Sequence, residues 1–232
     1  MFTHTEIERI IEAYIYEQNS LQTDDPKYFA CINYFATFNL TSLGPKELEV
    51  IRDFLFKWGH MGRTGIDPTD PELGLIIKKH SEFLESARKQ ELHKSSILPD
   101  KQTIAIIFEN LNSLVGPISA SKILHLISPG FFQLWDNGVI DGCNSSKQFK
   151  YKSDLIEMVE KENTKGSHRP SGNGYYSFME FTQSFINKYI NVLTQIQTVL
   201  NSQAQCAGSK TLVKMADEFN MFATKKPFLY LL

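Results

Sequence analysis

The segment Leu111–Val139, LNSLVGPISASKILHLISPGFFQLWDNGV, combines residue types that could do chemistry on a nucleic acid. It reads as a helix, a Gly-Pro turn, a second helix, a Pro/Gly loop and an acid, Asp136, at the start of a third helix. A sharp turn between two helices exposes successive backbone N–H groups, and the second helix adds the positive end of its dipole. Together these make an anion site that fits a phosphate. Gly116 permits positive φ and Pro117 presets the first helical turn. Leu114, Val115, Gly116, Ile118 and Ser119 are therefore the expected phosphate-binding positions. A carboxylate on the same face would stabilise the oxocarbenium-like sugar that forms when a base–sugar bond stretches, or activate the attacking water. Asp136 carries that role here. Its bland alternative is a helix N-cap, worth about 1 kcal/mol.

Other residues could support such a site. His60 and Arg63 sit among glycines in GHMGRTGIDPTD and could enter a minor groove or touch a phosphate. Lys165, His168 and Arg169 lie on a second Gly/Pro/Ser stretch, KGSHRPSGNG, and could clamp backbone phosphates. Trp135, Tyr175 and Tyr176 are candidate walls of a base pocket, by stacking, though each type is equally at home in a core. Lys122 lies one helical turn beyond Ile118, so both could face one cleft, and its amine is a second candidate catalytic group. His125 reads as a satisfied histidine on a helix face.

Positioning these groups falls to helices. Ile7, Ile10, Ile11, Tyr14 and Ile15 follow helical spacing, as do Tyr28–Phe38 and a helix opened by Pro45 with Leu48, Ile51, Phe54, Leu55 and Trp58 on its stripe. Gly59–Asp70 breaks the pattern, Glu72–His93 resumes it, and Pro99-Asp100 separates that helix from Thr103–Leu114. Ile118–Ile127, Asp154–Glu162, Tyr175–Leu200 and Thr211–Phe222 complete the expected set, and no alternating run reads as a strand. The expected fold is all-α: two packed helical lobes around a central helix-hairpin-helix, with a cleft between them. The whole 1–232 forms one domain in this reading, with residues 1–100 plus the C-terminal helices as one lobe and 101–174 as the other.

Composition sets the outer bounds. At 42% hydrophobic and 22% charged, 232 residues suffice for a sizeable core. No long apolar run suggests a membrane span, and the N-terminus has no secretory pattern, so a cytoplasmic or nucleoid-associated location is expected. Cys31, Cys143 and Cys206 form no metal or cluster spacing, so neither a metal nor an iron–sulfur cluster is expected and no cofactor is required. The net charge of −2 is unevenly spread. Residues 1–72 hold 6 basic against 12 acidic side chains, and 73–232 hold 18 against 14, which places any DNA surface mainly on the second part.

The central segment resembles the helix-hairpin-helix base-excision DNA glycosylases of the endonuclease III and MutY type. That family's hairpin reads roughly Leu-Pro-Gly-Val-Gly-Pro-Lys-Thr-Ala, followed at about eighteen residues from its Lys by a catalytic Asp. Here Gly116 falls on the second hairpin Gly, Ile118 on the Lys position, Ala120 on the small helix residue, and Asp136 eighteen positions after Ile118. The likeness covers about an eighth of the chain. Leu114 replaces the first hairpin Gly, and the cluster-binding cysteines are absent. Ile118 in place of the Schiff-base lysine implies a monofunctional enzyme, one that hydrolyses the N-glycosidic bond of a flipped base and leaves an abasic site. The resemblance implies double-stranded DNA carrying a modified, damaged or mismatched base as partner, with the chain acting as a monomer. Base-excision repair and defence against modified phage DNA both fit. A non-catalytic helix-hairpin-helix DNA-binding protein and a helical protein-interaction domain are the alternatives.

Overall fold

The computed structural model describes residues 25–59, 70–135, 170–202 and 210–225. All regular elements among them are helical and none is a strand. In chain order they are α1 (Asp25–Thr37), α2 (Pro45–Asp53) running into a π-turn (Phe54–Trp58), α3 (Pro71–Lys79), α4 (Ser81–Ala87), α5 (Lys101–Val115), α6 (Pro117–Ile127), α7 (Gly172–Lys188), α8 (Ile190–Ser202) and α9 (Leu212–Lys225). Short 3-10 turns at Leu40–Ser42, Leu92–Lys94 and Leu98–Asp100 link them. The helices expected from Ile7–Ile15 and over Asp154–Glu162 lie outside the described residues. No helix among the described residues is long and apolar enough to cross a membrane.

Helix starts follow local chemistry. Pro71 opens α3 behind Asp70, whose carboxylate accepts the Glu72 N–H at 2.8 Å. Glu47 reaches back to the Gly44 N–H at 2.9 Å at the start of α2, and its other oxygen accepts from the Tyr34 hydroxyl at 2.8 Å. Such caps satisfy donors that a helix end leaves open.

Two expected helices are each split. Glu72–His93 breaks at His80, whose φ of −107° and ψ of 13° leave the helical region. There the ring lies 3.2 Å from the Asn110 side chain on α5. Tyr175–Leu200 breaks at Tyr189, at φ −115° and ψ 20°, with its ring against Phe185. Apolar spacing runs through both bends, so a continuous helix was expected and tertiary contact decided otherwise. Gly172 and Gly174, expected in a loop, form the first turn of α7, capped by the Ser171 hydroxyl accepting from the Gly174 N–H at 3.1 Å.

The core is continuous. Ile104, Ile107, Phe108 and Leu111 on α5 meet Ile123, Leu124 and Ile127 on α6, and Tyr175, Phe178 and Met179 on α7. Phe108 and Tyr175 stack with centroids 4.1 Å apart and planes 8° from parallel. Arg88, just past α4, ties this core to the first helices: its Nη1 donates to the Phe38 carbonyl at 2.6 Å and its Nε to the Ile127 carbonyl at 3.1 Å. α5 and α7 approach so closely that a Cβ on Gly172 would lie 2.2 Å from the Ala105 carbonyl oxygen. Gly172→Ala is therefore expected to force the pair apart and destabilise the protein by about 1–3 kcal/mol, as overpacked sites do. Denaturant unfolding measures this, and an unchanged midpoint would show that the contact can open without cost.

Candidate functional site

The turn between α5 and α6 is a single residue. Gly116 has φ 77° and ψ 163°, a region open essentially to glycine alone. Its N–H closes α5 on the Asn112 carbonyl at 2.9 Å, and its own carbonyl accepts the Ala120 N–H at 2.9 Å to start α6. Pro117 has no N–H, and Gly116 has no side chain to cap the helix. The Ile118 and Ser119 amides thus have no acceptor within α6, at the end where its dipole is positive. Leu114, Gly116 and Ile118 are half-buried at this turn, while the Val115 and Ser119 side chains are buried. The Ser119 hydroxyl has no hydrogen-bond partner.

The chain then returns across α6. Ser121, one turn into that helix, accepts the Trp135 N–H on its hydroxyl oxygen at 2.9 Å. The same oxygen lies 2.9 Å from the Ile118 carbonyl and 3.3 Å from the Trp135 carbonyl, either of which can take its proton. Behind this point the Tyr175 hydroxyl donates to the Gln133 carbonyl at 2.6 Å. His125 Nδ1 donates to the Phe132 carbonyl at 2.8 Å, which leaves Nε2 to accept from the Tyr28 hydroxyl, also at 2.8 Å. Residues 132–135 are thus strapped between α6 and α7 by four side chains.

A second cluster flanks α6. The π-turn ends by bonding the Gly59 N–H to the Phe54 carbonyl at 2.8 Å, five residues back. Lys122 donates to the Gly59 carbonyl at 2.8 Å, with its ammonium 5.8 Å from the centre of the Trp58 ring. Lys214 of α9 comes within 4.9 Å of the same ring and 5.7 Å of Tyr28. Its ammonium pairs with Asp217 at 3.2 Å and Glu218 at 3.3 Å, and Glu218 also takes Lys210 at 3.1 Å. Burial pulls the Lys214 pKa down, but Glu218 and Asp217 outweigh it and hold the group above the ordinary lysine range. Trp58 stacks on Phe54 at 4.8 Å and stays half-buried, whereas Phe54 and Tyr28 are buried.

The structure sorts the expected site residues. Asp136, His60, Arg63, Lys165, His168 and Arg169 lie outside the described residues. Lys122 is only 8% exposed, so the solvated lysine usual at such a position is not what forms. The expected pocket wall is corrected. Trp135, Tyr175 and Tyr176 have no exposed surface: Trp135 packs edge-on against Phe178, Tyr175 stacks on Phe108, and the Tyr176 hydroxyl bonds Glu180 at 3.0 Å. Rings this enclosed form core, not an open stacking face. His125 is the satisfied helix-face histidine expected. Trp58, Lys214 and Asp217 were not singled out. Trp58 falls on the stripe with Phe54 and so reads as core, and no spacing links α9 to it. An open groove of about 590 Å³, lined by Leu98, Lys101, Ile106 and Glu109 among others, lies at the opposite end of α5 from Gly116. Among the described residues no group of three or more His, Cys, Asp or Glu is placed to hold a metal.

Burial lowers the His125 pKa from 6.5 to about 3, against the smaller opposing pull of the Phe132 carbonyl bond. Below pH 6.5 the unfolded chain binds a proton there that the folded chain refuses, so stability is full above that pH and falls as the pH drops toward 3. The expected loss across that window is several kcal/mol. It is read by denaturant midpoints between pH 7 and 5, above most carboxylate titration. His125→Phe should flatten the dependence, and an equal slope in that variant would place the titrating group elsewhere.

No protein-family model, curated protein or solved structure matches this chain, so its site is read from its own geometry.

Proposed function

We propose that the chain is a DNA glycosylase that hydrolyses the N-glycosidic bond of an extruded modified, damaged or mismatched base in double-stranded DNA. The observation that carries this reading is the Ser121 bridge to Trp135. The bridge fixes the backbone one residue before Asp136 to the first turns of α6, whose open amides at Ile118 and Ser119 suit a phosphate. One trans peptide spans about 3.8 Å between Cα atoms. A carboxylate leaving that point works close to the helix end that grips the backbone. The turn then serves as the hairpin of a helix-hairpin-helix, and the base enters a cleft between two lobes.

The chemistry asked of these groups is limited. The phosphate contact orients the strand and reads no sequence. As the bond from sugar to base stretches, its electron pair leaves with the base and positive charge grows on the sugar. Ionised Asp136 stabilises that charge or removes a proton from the water that adds to the sugar carbon. Ile118 supplies no amine. The Lys122 ammonium is engaged with the Gly59 carbonyl over Trp58, which favours hydrolysis over an amine-linked lyase step.

Asp136→Asn is expected to keep its affinity for a duplex bearing an abasic-site analogue and to lose base release by at least about a hundredfold. Release of free base from a panel of damaged, mismatched and hypermodified duplexes measures it. Undiminished release by the variant removes Asp136 from the mechanism. Failure of the unaltered chain to bind the analogue in preference to intact duplex removes the glycosylase reading.

A further inference from the structure

We infer that Trp58 is the ring on which the extruded base stacks, an assignment that rests on the glycosylase reading above. A base leaving the duplex needs an aromatic face near the phosphate-gripping turn and the acid that follows Trp135. Trp135, Tyr175 and Tyr176 are enclosed and cannot offer one. Trp58 is half-buried. It also sits beside α6: Lys122, whose ammonium lies against its ring, is the neighbour in sequence of Ser121, which holds the Trp135 backbone. The indole and the approach to Asp136 therefore flank one turn of a single helix.

Two independent features mark this ring as placed for a ligand. The π-turn at Phe54–Trp58 departs from the regular winding of α2, and such departures are frequent at functional sites. Among the described residues around the ring, Lys122, Lys210 and Lys214 face Asp217 and Glu218, an excess of one positive charge in a poorly hydrated setting. That balance favours an anionic nucleotide over a neutral apolar ligand. Stacking supplies sequence-tolerant affinity because every base has a π-face.

The chain has two tryptophans, Trp58 and Trp135, and Trp135 has no exposed surface. Indole emission therefore reads Trp58, while Trp135 reports that the core is intact. The probe is an end-labelled duplex with a single unpaired adenine, set against the same duplex fully paired, with binding followed separately by label anisotropy. The unpaired base should quench emission of the unaltered chain, and the paired duplex should bind without that quenching. Trp58→Phe should still prefer the unpaired site but show no quenching. Trp58→Ala should weaken that preference by about tenfold, the scale of a lost base stack. Quenching that persists in Trp58→Phe, or a preference unchanged in Trp58→Ala, overturns the assignment and leaves the glycosylase reading to the Asp136 experiment. If neither duplex binds, both fail.

Discussion

One hydroxyl holds the candidate site together. Ser121 is buried on α6, and its oxygen meets the Trp135 N–H and lies within reach of the Trp135 and Ile118 carbonyls. Residues 132–135 belong to no regular element, so their backbone groups have no ladder or helix to satisfy them and must find partners singly. Ser121, Tyr175 and His125 provide these. An extended segment is thereby sealed between two helices without stranded donors, and its end is aimed by side chains that are themselves packed. Trp135 follows from this placement: once its backbone is pinned on α6, its ring can only enter the space against Phe178. The enclosure leaves its indole nitrogen without a hydrogen bond. A buried orphan donor costs about 1–3 kcal/mol, which the burial of a whole indole offsets.

The cluster beside α6 is costly in a different way. Ammonium and carboxylate groups at Lys122, Lys210, Lys214 and Asp217 are nearly sealed from water, and a well-packed apolar set would serve stability as well or better. Such a cluster specifies an arrangement instead. Lys214 on α9 brings the C-terminal helix onto Trp58 and Tyr28 of the first helices, and Lys122 brings the hairpin helix onto the same ring. Three distant parts of the chain thus agree on the location of one indole.

What the residues disclosed before any coordinates depended on how local the cause was. Gly116 and Pro117 state their backbone preferences by type, and the turn between α5 and α6 forms where they stand. The all-helical character follows from apolar spacing alone. The bends at His80 and Tyr189 do not, because that spacing continues through them and the deciding contacts come from Asn110 on another helix and from Phe185. Aromatic type is silent on enclosure, since the same ring suits a core or a stacking wall, and Trp135, Tyr175 and Tyr176 went inward. Lys122 was misjudged as a surface residue for the same reason: its described acceptor, the Gly59 carbonyl, lies 63 residues away.

The π-turn makes the length of this part of the chain matter more than its composition. It accommodates five residues where an α-turn would take fewer, and its closing bond delivers the Gly59 carbonyl to Lys122. Removing one residue between Phe54 and Trp58 would let the helix rewind regularly and swing all that follows by about 100° around its axis. The ring would turn away from α6 and the carbonyl would miss its ammonium. Side chains here can vary in size and polarity within limits, but the spacing from Phe54 to Gly59 has no such latitude.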